Sequence, residues 1–444
     1  MDRLGDVLPL WSVAPFGGLL LSIALLPQLA EGFWHSLRNQ LLVAVGWAAP
    51  VLALLGWLTV SSGDAGPLHA LEHALLEYGA FIVLLGSLFV ISGGIHIEGD
   101  LPARPWVNTT FLAVGAVLAN VVGTTGASML LIRPLLRTNS ERNNTWHVPL
   151  FFIFVVSNVG GALTPIGDPP LFLGYLRGVP FGWTVANLWV DWLVAVGMLL
   201  ATFFALDTYL YRYESPERIQ LDLRRIEPLS VIGRGNFALL GLVIVAILAL
   251  TPDADVPDFR QYHAREIALI ALAAISLATT PNRARVANAF SWEPILEVAA
   301  LFVGIFVTMI PATALLETHG GALGLTHPWQ YFWASGLLSS FLDNAPTYVT
   351  FAAMACGSFP EVCPSAADLG SLTTHPESAA ILRAISLGAV FMGANSYIGN
   401  GPNFMVKAIA VRGGYPMPSF FAYCGWAALF LSPVYVVITV FGLR

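Results

Sequence analysis

The sequence predicts an all-α polytopic membrane protein with about ten transmembrane helices. Of its 444 residues, 56% are hydrophobic and only 11% are charged, whereas about a quarter of the residues of a soluble domain are charged. Apolar stretches of roughly the 20 residues that cross a bilayer follow one another along the whole chain. The basic residues form no polybasic surface, so no nucleic-acid partner is expected.

Two of the apolar stretches contain copies of one motif. It reads GALTPIGDPPLF at residues 161–172 and GANSYIGNGPNF at residues 393–404, with six of the 12 positions identical. Apolar segments interrupted by Gly and Pro at matching positions of two halves are the best sequence indication of the binding site of a secondary transporter. We therefore expect each copy to break a membrane-spanning helix.

The distribution of basic residues predicts the topology. Short loops rich in Arg mark the cytoplasmic side, and Arg is concentrated in residues 133–142, 212–234 and 283–285. Residues 61–77 and 357–378 contain no Lys or Arg and are assigned to the outside. Ten crossings satisfy these assignments, and they lie near residues 8–29, 39–60, 78–97, 148–176, 183–211, 236–251, 265–280, 293–317, 379–411 and 418–442. We expect both termini in the periplasm and the protein in the inner membrane of a bacterium.

Two remaining segments, residues 107–137 and 329–356, are predicted to be re-entrant hairpins. The first would form a straight helix about 46 Å long, whereas the hydrocarbon core of a bilayer is about 30 Å thick. Its middle is polar and rich in Gly, and the middle of the second contains Pro346, which interrupts a helix. With these hairpins the Arg-rich loops stay inside and the loop after Cys356 stays outside.

The hairpins divide the chain into two inverted repeats. The first covers residues 8–211, with its hairpin at 107–137 and its broken helix at 148–176. A cytoplasmic connector, residues 212–235, joins it to the second repeat. The second covers residues 236–442, with its hairpin at 329–356 and its broken helix at 379–411. The broken helices and the hairpin tips should meet near the middle of the bilayer.

Polar side chains are concentrated at these four interruptions. The candidate cation- and proton-binding residues are Asn120, Thr124, Thr164, Asp168, Asp343, Asn344, Thr347, Asn395, Ser396 and Asn400. The two carboxylates are the most informative, because an isolated acid inside a membrane is expensive and usually lines an ion or proton pathway. Asp168 could instead cap a half-helix, and Asp343 could reach solvent at a hairpin tip. A single Asn, Thr or Ser often only bonds helices together.

This chemistry predicts exchange of Na⁺ or Li⁺ for H⁺. One carboxyl group can hold a proton or help to bind a metal cation, but it does not do both well at once. Neutral amide and hydroxyl oxygens suit a hard cation. The alternative is Na⁺-coupled uptake of citrate or another dicarboxylate. Neither function is enzymatic or needs a cofactor, and the expected partners are the lipid bilayer and small inorganic ions.

Three further sequence features bear on the function. The sequence HALEH at residues 69–73 matches the pattern of inverted zinc peptidases, but no downstream Glu lies in a matching helical context, so we expect no zinc enzyme. Cys356 and Cys363 flank an outer loop, and both a disulfide and two free thiols are left open. His147 begins a broken span and is expected at the membrane interface.

Residues 156–174, VSNVGGALTPIGDPPLFLG, resemble the signature of NhaD-type sodium/proton antiporters. This family is part of the ion transporter superfamily, which includes citrate and dicarboxylate carriers, and the resemblance covers nearly the whole chain. It implies two inverted repeats and a transport domain that moves against a scaffold without ATP, often in a homodimer. It also implies site roles for the matching residues, which are Ser157, Asn158, Thr164 and Asp168 in the first broken helix, Asn395, Ser396 and Asn400 in the second, and Asp343, Asn344 and Thr347 at a hairpin tip.

Overall fold

The computed structural model describes residues 4–250 and 259–443. Within these ranges, eight helices are long and apolar enough to cross a membrane, and two shorter apolar helices accompany them. The protein is therefore a nearly all-helical polytopic membrane protein, as its composition predicts.

The first part of the chain ends at residue 211. Its elements are, in order, α1 (Leu4–Val7), α2 (Ala14–Leu29), α3 (Glu31–Trp34), α4 (Leu37–Ser62), α5 (Gly66–Ser92), β1 (His96–Asp100), α6 (Pro105–Thr138), α7 (His147–Val155), α8 (Pro169–Leu176) and α9 (Phe181–Tyr211). The connector contains α10 (Pro216–Arg224) and β2 (Glu227–Ile232).

The second part runs from residue 235 onward. Its elements are α11 (Gly235–Ala249), α12 (Phe259–Thr279), α13 (Asn282–Ala287), α14 (Glu293–His319), α15 (Pro328–Ser339), α16 (Asn344–Ser358), α17 (Pro376–Met392), α18 (Gly401–Arg412) and α19 (Phe420–Gly442). The span expected at 236–251 corresponds to α11, and residue 251 lies outside the described residues.

Helix α6 folds back on itself at Gly123. The backbone there has φ 77° and ψ 157°, a conformation that glycine adopts far more readily than residues with a Cβ. The side chains of Asn108 and Asn139 exchange two hydrogen bonds, at 2.9 and 2.8 Å. A straight helix would separate them by about 46 Å. The segment is thus a hairpin, as its length predicts.

Helices α15 and α16 form the second hairpin. The chain turns between Ser339 and Asn344, and the hydroxyl groups of Tyr331 and Ser358, near the far ends of the two helices, lie 3.0 Å apart. Each half of the chain therefore contributes one hairpin, and each hairpin tip carries polar residues.

Two interruptions separate α7 from α8 and α17 from α18. The first contains a short 3-10 turn at Val159–Gly161, and the second contains one at Gly393–Asn395. Pro at the first or second position of α8 and of α18 suits the start of a helix, where a backbone N–H has no helical partner. Helix α7 is buried on all sides. The copied motif therefore breaks two helices inside the protein, as predicted.

The helices pack in two groups. Helix α5 packs against α4, α12 and α14, whereas α17 packs against α15 and α16, and α9 packs against α6, α7 and α19. Both broken helices and both hairpins belong to the second group. The two groups meet where α14 contacts α16 and where α5 contacts α6 and α8.

A two-stranded antiparallel sheet was not predicted. Strand β1 follows α5, and strand β2 ends the connector, with His96 opposite Ile232. More than a hundred residues separate the strands, so no turn signal between them could indicate the pairing. The sheet is a small addition to a nearly all-helical fold.

The third span begins earlier than expected. The prediction placed it at residues 78–97, but α5 runs from Gly66 to Ser92 and strand β1 follows. The absence of Lys and Arg from residues 61–77 predicts a loop, whereas Pro67 in the first turn favours the start of a helix there. The HALEH sequence consequently lies in the first turns of α5.

Candidate functional site

Asp168 lies at the centre of the buried polar residues. Its side chain is 1% exposed, and its carboxylate accepts three hydrogen bonds. Thr124 donates to Oδ1 at 2.8 Å, Asn400 donates to Oδ1 at 3.0 Å, and Asn344 donates to Oδ2 at 2.5 Å. All three donors are neutral. Within the described part of the chain, none of the ion pairs includes Asp168.

These four residues come from both hairpins and both broken helices, and each stands at the start of a helix. Asp168 precedes α8 and Asn400 precedes α18. Asn344 is the first residue of α16, and Thr124 follows the turn at Gly123. Helix N-termini carry partial positive charge and stabilise anions. Four of them therefore surround one carboxylate, which explains how an acid is buried here without a basic partner.

The Asp168 side chain does not cap α8. Asp168 occupies the N-cap position, but its carboxylate makes no hydrogen bond to the backbone of that helix. It contacts other segments instead, so the capping interpretation of this residue is wrong.

A chain of amides extends from Asn400. Its Nδ2 also lies 3.1 Å from the carbonyl oxygen of Ser157 and 3.2 Å from Oδ1 of Asn158. Asn158 in turn donates to Oδ1 of Asn403 at 2.7 Å. Asn403 then donates to the backbone of the second interruption, at Gly393 and Ser396. The network ties the two broken helices to each other.

Asn403 was missed from the sequence. It is fully buried and stands where the first copy of the motif has Leu171. An Asn that replaces a Leu inside an otherwise apolar repeat was the available signal, because an unpartnered amide in an apolar environment is costly.

The two hydroxyl residues of the copied motif fasten each interruption to the neighbouring hairpin. Thr164 donates to the carbonyl oxygen of Asn120 at 2.6 Å, and its oxygen accepts from the Gly167 N–H at 3.1 Å. Ser396 likewise donates to the carbonyl oxygen of Ser340 at 2.5 Å. Both hydroxyls are therefore occupied by equivalent backbone contacts.

The side chains of Asn120 and Asn395 are also used for packing. Asn120 donates to Ala116 and Gly160 carbonyl oxygens. Asn395 donates to Ser340 and accepts from the Tyr435 hydroxyl at 2.9 Å. Neither makes a hydrogen bond to Asp168. The structure therefore brings together only part of the predicted set around this carboxylate.

Asp343 has a local role. It is the N-cap of α16, and its Oδ1 accepts from the Ala345 N–H at 3.0 Å. The Thr347 hydroxyl donates to the Asp343 carbonyl oxygen at 2.9 Å. The side chain is half-buried. Asp343 thus orders the start of the helix whose first residue, Asn344, holds Asp168.

One oxygen beside Asp168 has no hydrogen bond. Oδ1 of Asn344 is buried and accepts no hydrogen bond from the described residues, although Nδ2 of the same amide donates to Asp168. A buried acceptor without a partner is unfavourable. Oδ1 of Asn344 can therefore accept a hydrogen bond or bind a cation directly next to the Asp168 carboxylate.

His147 takes part in a buried polar cluster, and its expected position at the membrane interface stays a prediction. It is fully buried, and its Nε2 lies 2.8 Å from Oδ1 of Asp207 on α9. Arg142 contacts the same oxygen at 2.7 Å, and Asn108 donates to Oδ2 at 3.0 Å. This cluster closes the open end of the first hairpin. The carboxylate partner is 60 residues away in the sequence, so the local pattern could not reveal it.

Two further sequence features concern a pair of cysteines and a possible metal site. Cys356 and Cys363 form a disulfide, which decides between the two alternatives that the sequence left open. No group of His, Cys, Asp or Glu side chains in residues 4–250 and 259–443 could hold a metal ion.

Membrane-length helices arranged around a buried carboxylate between two interrupted helices define a polytopic membrane transporter. A family model described as "Putative citrate transport" matches residues 5–443. The chain belongs to this family.

Three mycobacterial proteins are similar over most of the chain. Uncharacterized transporter Rv2684 of Mycobacterium tuberculosis is 25% identical over 401 residues, which cover 85% of this chain and 87% of the relative. Uncharacterized transporter Rv2685 of the same organism is 25% identical over 409 residues, covering 86% and 90%. A 46 kDa membrane protein of Mycobacterium leprae is 24% identical over 314 residues, covering 69% of each chain.

Proposed function

We propose that this transporter exchanges Na⁺ or Li⁺ for H⁺ across the inner membrane of a bacterium. The observation that carries this proposal is the environment of Asp168, which is buried and held by three neutral donors from three other segments. A carboxylate paired with Arg would be permanently neutralised. A carboxylate without such a partner can exchange a proton for a metal cation.

The oxygens for a cation are present beside the carboxylate. Oδ1 of Asn344 accepts no hydrogen bond from the described residues, and the Thr124 hydroxyl oxygen contacts Asp168 directly. Oxygen ligands of this kind suit hard cations. Binding of Na⁺ would replace the proton on Asp168 and recruit these neutral oxygens, whereas release would return the carboxyl to its protonated form.

Transport in this proposal requires one group of helices to move relative to the other. Residues 8–211 and 236–442 act as inverted repeats, and the second helix group moves against the first to expose the site alternately to the two sides. The exchange uses no cofactor. The partners are the bilayer and the transported ions, and assembly as a homodimer is proposed on the NhaD-type resemblance alone.

The experiment is transport by purified protein in proteoliposomes, with Na⁺, Li⁺ and labelled citrate offered in parallel. Added Na⁺ should dissipate an imposed pH gradient between pH 7 and 9. Asp168→Asn should reduce exchange at least tenfold, while Asp64→Asn, in a loop outside the site, should exchange normally. Absence of a Na⁺ response across this pH range would refute the antiport proposal.

Na⁺-coupled uptake of citrate or a dicarboxylate is the second candidate. Two observations favour it: the description of the family, and the four helix N-termini that surround the site, because such termini attract anions. Asp168 would then help to bind the coupling cation, and the substrate carboxylates would face the helix ends. Saturable, Na⁺-dependent accumulation of labelled citrate would select this function over antiport.

A further inference from the structure

A buried ion pair joins α5 to the end of α8. Nε and Nη2 of Arg177 donate to Oε1 and Oε2 of Glu77, each at 2.8 Å. The side chains are 8% and 7% exposed. Two parallel hydrogen bonds between a guanidinium and a carboxylate are strong and geometrically specific. Separating them without a new partner leaves two buried charges unpaired, which is strongly unfavourable.

Helix α8 connects this ion pair to the site. Asp168 immediately precedes the helix and Arg177 immediately follows it. The eight residues between them span about 12 Å. Because α8 is a short continuous helix, a displacement of one of its ends also displaces the other. The ion pair therefore helps to fix where the Asp168 carboxylate lies relative to α5.

The outer loop orients Arg177. Its Nη1 donates to the carbonyl oxygen of Ala366 at 3.3 Å, and its own carbonyl oxygen accepts from the Gly370 N–H at 3.2 Å. The next residue, Gly178, has φ 88°, and a Cβ there would lie 2.6 Å from Oδ1 of Asp368. The guanidinium is thus held in place from a second direction.

The two partners belong to different helix groups. Glu77 is on α5, which packs with α4, α12 and α14, whereas α8 packs chiefly against α16 and contacts α17 and α5 to a lesser extent. The ion pair between Asp191 and Arg383, at 2.6 Å, provides a contrast. It joins α9 to α17, and both of these helices belong to the group that contains the site.

We propose that Glu77 and Arg177 form a latch, which holds the site-bearing helices against α5 in the state described here and opens whenever the site changes the side of the membrane that it faces. The proposal rests on the proposed transport function. It does not depend on which ion or carboxylate is carried, because the latch acts on the movement of α8.

Cross-linking of paired cysteines tests the latch. Cys424, the free cysteine of the described residues, is first replaced by Ala. Glu77→Cys is combined with Arg177→Cys, and a control protein combines Asp191→Cys with Arg383→Cys. Both proteins lose an ion pair between two helices, although Arg383 is 27% exposed and Arg177 is 8% exposed. Each is reconstituted and treated with a short bismaleimide.

We expect cross-linking to slow transport at least tenfold in the first protein and to leave the control rate within twofold. Full transport by the cross-linked first protein, or equal inhibition of both, would overturn the latch. Transport by the wild-type protein reports separately on the proposed function. If the wild type moves none of Na⁺, Li⁺ and citrate, that function fails irrespective of the latch.

Charge reversal provides a second measurement in case the cysteine pair does not fold. Glu77→Arg or Arg177→Glu alone places like charges together and should reduce transport at least tenfold. The two reversals together restore an attractive pair and should recover much of the rate. If the double variant is no more active than the single variants, the latch is excluded.

Discussion

The side-chain amide of Asn400 donates to the carboxylate of Asp168 at 3.0 Å, although 232 residues separate them in the chain. They occupy the same position in the two copies of the motif. The copies have therefore diverged so that one contributes an ionisable acid and the other contributes its uncharged amide as a hydrogen-bond donor. Two acids at this distance would repel each other unless they shared a proton.

Loss of the Thr124 hydroxyl should weaken cation binding. Thr124→Val keeps the shape of the side chain but removes the hydrogen bond to Oδ1 of Asp168. A hydrogen bond to a charged group contributes about 1.5–3 kcal/mol, so the apparent KM for the transported cation should rise about tenfold or more. Kinetics in proteoliposomes measure this. Thr110→Val removes an exposed hydroxyl from the same helix and should leave KM unchanged.

Replacement of Asp343 by Asn should preserve the fold and most of the transport. Asn is as good an N-cap as Asp, so the contact with the Ala345 N–H is retained. If Asp168 alone exchanges the proton, Asp343→Asn should keep at least a third of the wild-type rate. Measurement of the rate and of thermal unfolding on the same preparation checks this. A folded but inactive variant would assign the second carboxylate to the mechanism.

Replacement of Gly123 by Ala should destabilise the first hairpin. The residue has φ 77°, which a residue with a Cβ adopts at a cost of about 1–3 kcal/mol, and the new Cβ would lie 3.3 Å from the carbonyl oxygen of Ile166. The midpoint of thermal unfolding should fall by several degrees. Gly46→Ala, in open space within α4, should leave the midpoint unchanged or raise it. Equal midpoints for the two variants would contradict the strain at the turn.

Asp100 should make stability depend on pH. Burial, and then the carboxylates of Glu141 and Asp222, raise the pKa of Asp100 from 3.8 to about 6. The folded state therefore binds the proton more tightly than the unfolded state does. Its free energy of unfolding falls as pH rises from about 4 to about 6, and the loss is complete above that range.

Asp100→Asn removes this ionisation and gives a direct measurement. The variant should be more stable than the wild type at pH 7.5, by about 1–2 kcal/mol, and the difference should disappear near pH 4. Thermal unfolding in detergent from pH 4 to 8 tests the sign. Glu217→Gln, an exposed site on α10, is the control. A less stable Asp100→Asn protein at pH 7.5 would contradict the assignment.

Local sequence features predicted the hairpins and the interruptions because each has a local physical cause. A segment too long for the bilayer, Pro346 within an apolar stretch and the copied Gly-rich motif all act on neighbouring residues. The partners of His147 and Arg177 could not be predicted in this way. Asp207 lies 60 residues from His147, and Glu77 lies 100 residues from Arg177. Such contacts depend on how whole helices pack, and one sequence carries no pairing information at that range.

Only Asp168 of the Asp168–Asn400 pair can ionise, and this affects how much net charge each transport cycle would move. Asp343 is engaged as a helix cap, so in the proposed exchange one carboxylate would alternate between a proton and a monovalent cation. One positive charge would then cross in each direction per cycle, and no net charge would move. Such an exchanger would respond to the concentration ratios of the two ions and would be insensitive to the voltage across the membrane.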